Sequence, residues 1–138
     1  SLPQARTAET PLPVPYRNQL DVPVRRFREQ ICSPTCVTMA LSALGLDRPT
    51  LVQAMQAFCP RHQIFGVWPR AVQTAFAAVE KARRTGRALA SLPPVEAFVR
   101  RFRAADDVKC LIAAGSPVIA SIRAQPGELP EMRYGFTY

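Results

Sequence analysis

Lysine is nearly missing from this sequence. Of 18 basic residues only Lys81 and Lys109 are not arginine, and the chain has a single histidine, His62, and a single tryptophan, Trp68. No apolar run approaches the roughly 18 residues that would span a bilayer, which excludes a transmembrane helix. Neither a signal peptide nor an initiator methionine stands at Ser1, so the expectation is a processed or trimmed start. Four cysteines, Cys32, Cys36, Cys59 and Cys110, are too few for a disulfide scaffold in 138 residues, and they leave the redox compartment open. No internal repeat and no nucleic-acid motif is present.

What is there suffices for one ordinary domain with a buried core, since 48% of the residues are hydrophobic. The net charge of +8 gathers at Arg25-Arg26-Arg28, Arg83-Arg84-Arg87 and Arg100-Arg101-Arg103. Phe27 and Phe102 each interrupt an arginine run only singly, without the series of aromatics of a single-strand binder, so the arginines read as solvated faces rather than a nucleic-acid site. The expectation from composition is therefore no nucleic acid, no transmembrane segment and no cofactor.

Residues 1–13 form a proline-rich, extended arm, and 14–138 form the domain. Residues 17–31 read as a loop. Pro34 suits a first helical turn, where its missing N–H costs nothing, and Val37, Leu41 and Leu44 recur at helical spacing up to Gly45. A second helix is expected at about 50–58 with Thr50 as N-cap, stopped by Pro60, and a third at 69–84, ended by Gly86. "SLPP" (91–94) reads as a turn. "VEAFVRRF" (95–102) alternates as a strand does, 105–113 reads as a short helix with Asp106 and Asp107 in its first turn, and "SPVIASIR" (116–123) as a buried strand. The remainder reads as a loop. Helices followed by strands predict an α+β layout.

Cys32 falls at the mouth of the first helix. The first N–H groups of a helix have no intrahelical partner and favour an anion, and the thiolate is the nucleophilic form of cysteine. Acyl transfer to such a sulfur also needs donors around the developing oxyanion. Gln19, thirteen residues earlier on a loop able to fold back, carries a side-chain amide of that kind.

These residues resemble a family. "VPYRNQ" (14–19) followed by "CSPTC" (32–36) and a hydrophobic helix is similar to papain-like cysteine peptidases, in the branch similar to the bacteriocin-processing double-glycine peptidases. "FGVWPRAVQTAF" (65–76) resembles that branch's G-x-W-P segment, and "LIAAGSPVIASI" (111–122) its G-x-P-V strand. The resemblance implies a papain-like α+β fold, Cys32 as nucleophile and Gln19 as oxyanion donor. Ser33 stands where the branch has glycine, and Cys36 where a small residue is usual. The family's histidine, which opens the strand after P-V-I, has no counterpart here. The expectation is thus a domain incomplete at its C-terminus, with near-background hydrolysis and self-association through an unfinished sheet.

Other readings stay open. Cys32 can be a buried structural cysteine. Cys32, Cys36, Cys59 and His62 have spacings compatible with a small zinc-binding domain. A Cys36–Cys59 disulfide would join neighbouring helices. A non-catalytic peptide-binding domain of the same fold, recognising a leader sequence, would keep the cleft without the chemistry. His62 and Asp21 read as solvated loop residues, Trp68 and Phe65 as core anchors, and Gln30 as a weaker donor than Gln19.

Overall fold

A computed structural model describes residues 12–85, 95–126, 128 and 136–137. Most of the proline-rich arm, the glycine stop at Gly86 and the turn at 91–94 lie outside the described residues. Two short 3-10 turns, Gln19–Asp21 and Arg25–Phe27, precede four helices: α1 (Cys32–Ala43), α2 (Thr50–Ala57), α3 (Trp68–Arg84) and α4 (Ala105–Ala113). A two-residue pairing of β1 (Arg123–Ala124) with β2 (Phe136–Thr137) follows, antiparallel, with Arg123 opposite Thr137.

The helices stand close to where their sequence signals put them. α1 begins two residues earlier than Pro34, so this proline occupies the third helical position. In α2 it is Pro49, not Thr50, that occupies the cap, and Thr50 is the first helical residue. Both α1 and α4 end in the same way. After α1, Gly45 sits at φ 91°, its N–H donates to Ser42 and that of Leu46 to Leu41, both at 2.9 Å. After α4, Gly115 sits at φ 85°, its N–H donates to Ile112 and that of Ser116 to Leu111, again at 2.9 Å. This left-handed turn satisfies carbonyls that the helix cannot, and glycine adopts it without a Cβ clash.

The expected α+β papain-like sheet is overturned. Residues 95–102 and 116–122 form no strand, and among the described residues regular β pairing is confined to the two-residue ladder and an isolated bridge between Cys59 and Ile64. Phe136 and Thr137, expected in a loop, supply one side of that ladder. A strand requires a neighbour to take up its N–H and C=O groups, and no backbone hydrogen bond joins 95–102 to 116–122 among the described residues. One apolar residue of each segment serves helix packing instead, while Phe98, Val99 and Ile122 are exposed. Val95 and Ile119 lie against a core of Val37 and Leu41 from α1 with Ala71 and Val79 from α3, to which Leu46 and Trp68 also pack.

A second core holds the mouth of α1. Val22, Ile31, Ala54 and Phe65 are buried together, with Phe27, Leu51 and Phe58 against them. The Phe65 ring lies 5.1 Å from both Phe27, edge-on, and Phe58. Such aromatic pairs contribute about 0.5–1.5 kcal/mol each beyond their buried area. Phe65 and Trp68 are thus core anchors, one in each cluster. The incoming arm is tied down by Arg17, whose guanidinium pairs with Asp47 and donates to the carbonyl of Arg48 at 3.1 Å. Asp47 also accepts from Ser42 at 2.7 Å.

Candidate active site

Ile31 has no exposed surface. Burying such a side chain stabilises by about 1.5–3 kcal/mol, so the chain enters α1 at a fixed point and the next residue, Cys32, is placed by it. The first turn is closed by Thr35, which donates to the Ile31 carbonyl through both its N–H, at 3.0 Å, and its hydroxyl, at 2.7 Å. Pro34 has no N–H. The N–H groups of Cys32 and Ser33 have no hydrogen-bond partner among the described residues. The half-buried Cys32 thiol therefore sits beside two open donors at the positive end of a 12-residue helix.

Gln19 opens the first 3-10 turn, which Asn18 caps by accepting from the Leu20 N–H at 3.0 Å. Its side-chain amide donates to the carbonyl of Arg28 at 2.7 Å, while Arg28 Nε donates to the carbonyl of Val22 at 2.7 Å. The loop does fold back, and Gln19 is fastened four residues before Cys32. Among the described residues no hydrogen bond joins Gln19 to Cys32 itself. The Gln30 amide donates to Arg26 at 3.3 Å, on the exposed side of the same loop.

One turn along α1, Cys36 is half-buried, and burial first, then the neighbouring charge of Cys32, pushes its thiol up. The segment "FGVWP" reaches the same helix mouth: a β-carbon built on Gly66 would lie 3.8 Å from the Ser33 β-carbon. The Ser33 hydroxyl is buried there without a partner among the described residues.

Among the described residues no hydrogen bond joins the remaining candidates to Cys32. His62 is exposed on the turn between Cys59 and Ile64, where its N–H and that of Gln63 both donate to the Cys59 carbonyl, at 3.2 and 2.7 Å. Asp21 is exposed. No three His, Cys, Asp or Glu residues converge among the described residues, so Cys32, Cys36, Cys59 and His62 do not assemble a four-ligand zinc site. All four cysteines are free, which leaves no Cys36–Cys59 bond. No described helix is long and apolar enough to cross a membrane.

Two concavities stand out among the described residues. One, of about 530 Å³, lies between residues 16–23 and the start of α2; the other, of about 1090 Å³, is an apolar groove between α1, α3 and the extended segments. Neither is lined by Cys32 or Gln19. The Arg28 carbonyl carries no sequence signal, because a backbone acceptor has no residue type to betray it. The Gly66–Ser33 approach had one, the glycine of the G-x-W-P segment.

Compared with known families, residues 11–136 match the model of a family described as "Peptidase_C39 like family". The chain matches no curated protein and no solved structure.

Proposed function

We propose, from the premise that this chain belongs to the Peptidase_C39 like family, that it carries cysteine-peptidase chemistry with Cys32 as the nucleophile and Gln19 as an oxyanion donor. Membership itself carries the coarser statement, a peptidase kind of function; the residue roles are the further step. The observation that supports them is the half-buried thiol at the first position of α1, beside the unpaired N–H groups of Cys32 and Ser33.

In this reading the Cys32 sulfur attacks a peptide carbonyl, and the carbon becomes tetrahedral. The negative charge that develops on its oxygen is met by the Cys32 N–H and by the second N–H of the Gln19 amide, the first being engaged by Arg28. Collapse expels the amine, which takes its proton from solvent water, and leaves an acyl group on sulfur, which a further water removes. An amine leaves only if it is protonated. His62 is not assigned that role, because it is exposed on a turn of its own. The substrate is a peptide or protein.

The experiment uses a peptidyl p-nitrophenyl ester, whose leaving group departs without a proton, so that it reports on nucleophile and donors alone. One equivalent of p-nitrophenol per chain should be released in a burst, and Cys32→Ala should abolish it. A burst that survives Cys32→Ala would remove the assignment.

A further inference from the structure

Cys32 and Cys36 stand four residues apart on α1, and both are half-buried free thiols. Side chains at that spacing share a helix face, with β-carbons about 5–6 Å apart. A disulfide requires about 3.5–4.5 Å, so one of the two residues must shift by roughly 1–2 Å for the sulfurs to bond. Cys32 is the one with room to do so. It is the first residue of the helix, its own N–H and that of Ser33 are unpaired, and Pro34 has none to offer. The first hydrogen bond that closes the turn comes only from Thr35.

We propose that Cys32 and Cys36 form a peroxide-reactive dithiol site, in which a hydroperoxide oxidises Cys32 and Cys36 resolves it to an intrahelical disulfide. This rests on the reading of Cys32 as the reactive thiol. The Cys32 thiolate attacks one oxygen of the hydroperoxide. The S–O bond forms, the O–O bond breaks, and the other oxygen leaves as an alcohol, or as water from hydrogen peroxide, after taking a proton. Cys32 is now a sulfenic acid, oxidised by two electrons. Cys36 then attacks its sulfur. The S–S bond forms, the S–O bond breaks, and the hydroxide leaves as water with the proton that Cys36 gives up. Two thiols and one hydroperoxide thus give one disulfide, one alcohol and one water.

The two thiols suit different halves of this sequence. Burial and then the charge on Cys32 push the Cys36 thiol up, and Cys32, at the open first position of the helix, is the first to react. Conversion of Cys32 to an uncharged sulfenic acid removes the second of those causes, and Cys36 becomes easier to ionise when its turn comes. The bridge masks the Cys32 sulfur reversibly and stops it short of sulfinic acid, which thiols do not reduce. A peptidase with such a pair is switched off by oxidant and restored by reductant.

The test treats the reduced full chain with hydrogen peroxide, blocks remaining thiols with N-ethylmaleimide, and maps the digest by mass. A Cys32–Cys36 bridge, two hydrogens lighter than the dithiol, should form, and dithiothreitol should return Cys32 to full reactivity toward iodoacetamide. In Cys36→Ser and Cys36→Ala, peroxide should carry Cys32 on to sulfinic acid, and dithiothreitol should restore little. Equal recovery in wild type and both variants, or a bridge to Cys59 or Cys110 instead, would overturn the proposal. Iodoacetamide labelling of the reduced protein separates the two levels. Cys32 that labels readily but never bridges sinks the dithiol alone, whereas Cys32 that fails to label sinks the nucleophile assignment with it.

Discussion

The side-chain amide of Gln19 donates to the backbone carbonyl of Arg28 at 2.7 Å. One bond thereby closes the loop that runs from the VPYRNQ segment to the mouth of α1, and it fixes one of the two N–H groups of Gln19 while leaving the other to point elsewhere. Gln19→Ala should lower stability by about 1 kcal/mol, the usual worth of such a bond, read from urea unfolding. The same change should slow acylation of Cys32 by the p-nitrophenyl ester about 10²–10³-fold, as for one lost oxyanion donor. Gln19→Glu, which has no amide donor, should show the same kinetic loss. Lost stability with unchanged acylation would reduce Gln19 to a loop tie.

The Cys36 thiol is pushed up by burial and by Cys32, which gives two expectations about pH. Its alkylation in the native protein should set in at higher pH than in the urea-unfolded chain, and Cys32→Ser should lower that onset part of the way, burial remaining. The linkage has a definite sign. The folded state holds the proton more tightly, so the stability it contributes is full below the unfolded thiol's pKa and is lost as pH rises through and above it. Unfolding curves of wild type and Cys36→Ala should therefore diverge on the alkaline side, the wild type losing more.

Helices were legible in the sequence because their signals are local. Pro34, the apolar spacing of Val37 and Leu41, and the stop at Gly45 are enough to find α1, and the bounds of α4 follow from two aspartates and a glycine. The position of Cys32 at a helix mouth came with them. The strands were misread for a physical reason. The alternation of Val95, Ala97 and Val99 says that one side of the segment meets something apolar, but not whether another strand lies alongside to take its hydrogen bonds. Here Val95 packs against α1 and α3, Val99 is exposed, and among the described residues no ladder forms. The fastening of Gln19 was legible only as a loop long enough to return; its acceptor, a main-chain carbonyl, was not.

Gly115 offers a clean test of the helix ends. It sits at φ 85°, and a β-carbon there would meet nothing within 4 Å. Gly115→Ala should then cost only the left-handed backbone penalty, about 1–2 kcal/mol, with no packing effect. Chemical denaturation is the readout. A neutral substitution would mean that this turn is not held as the hydrogen bonds of Gly115 and Ser116 indicate.

His62 should be dispensable. Exposed on the 60–63 turn, it has no hydrogen bond to the first turn of α1 among the described residues. His62→Ala should leave ester acylation within about twofold, as for a substitution on an exposed turn. Hydrolysis of an ordinary peptide by the 138-residue chain should stay near background, since general acid–base help is worth about 10²–10⁴ in rate. Robust peptide cleavage that disappears in His62→Ala would place the base at His62.

The central claim is that Cys32 is the sulfur that attacks. Its most direct test is to incubate the folded chain near neutral pH with a peptidyl vinyl sulfone, which bonds irreversibly to a nucleophilic thiol, and to locate the adduct by peptide mass mapping. A single adduct on Cys32 is expected, with that selectivity lost in urea where the helix mouth no longer exists. An adduct on Cys59 or the exposed Cys110, with Cys32 left unmodified, would contradict the account.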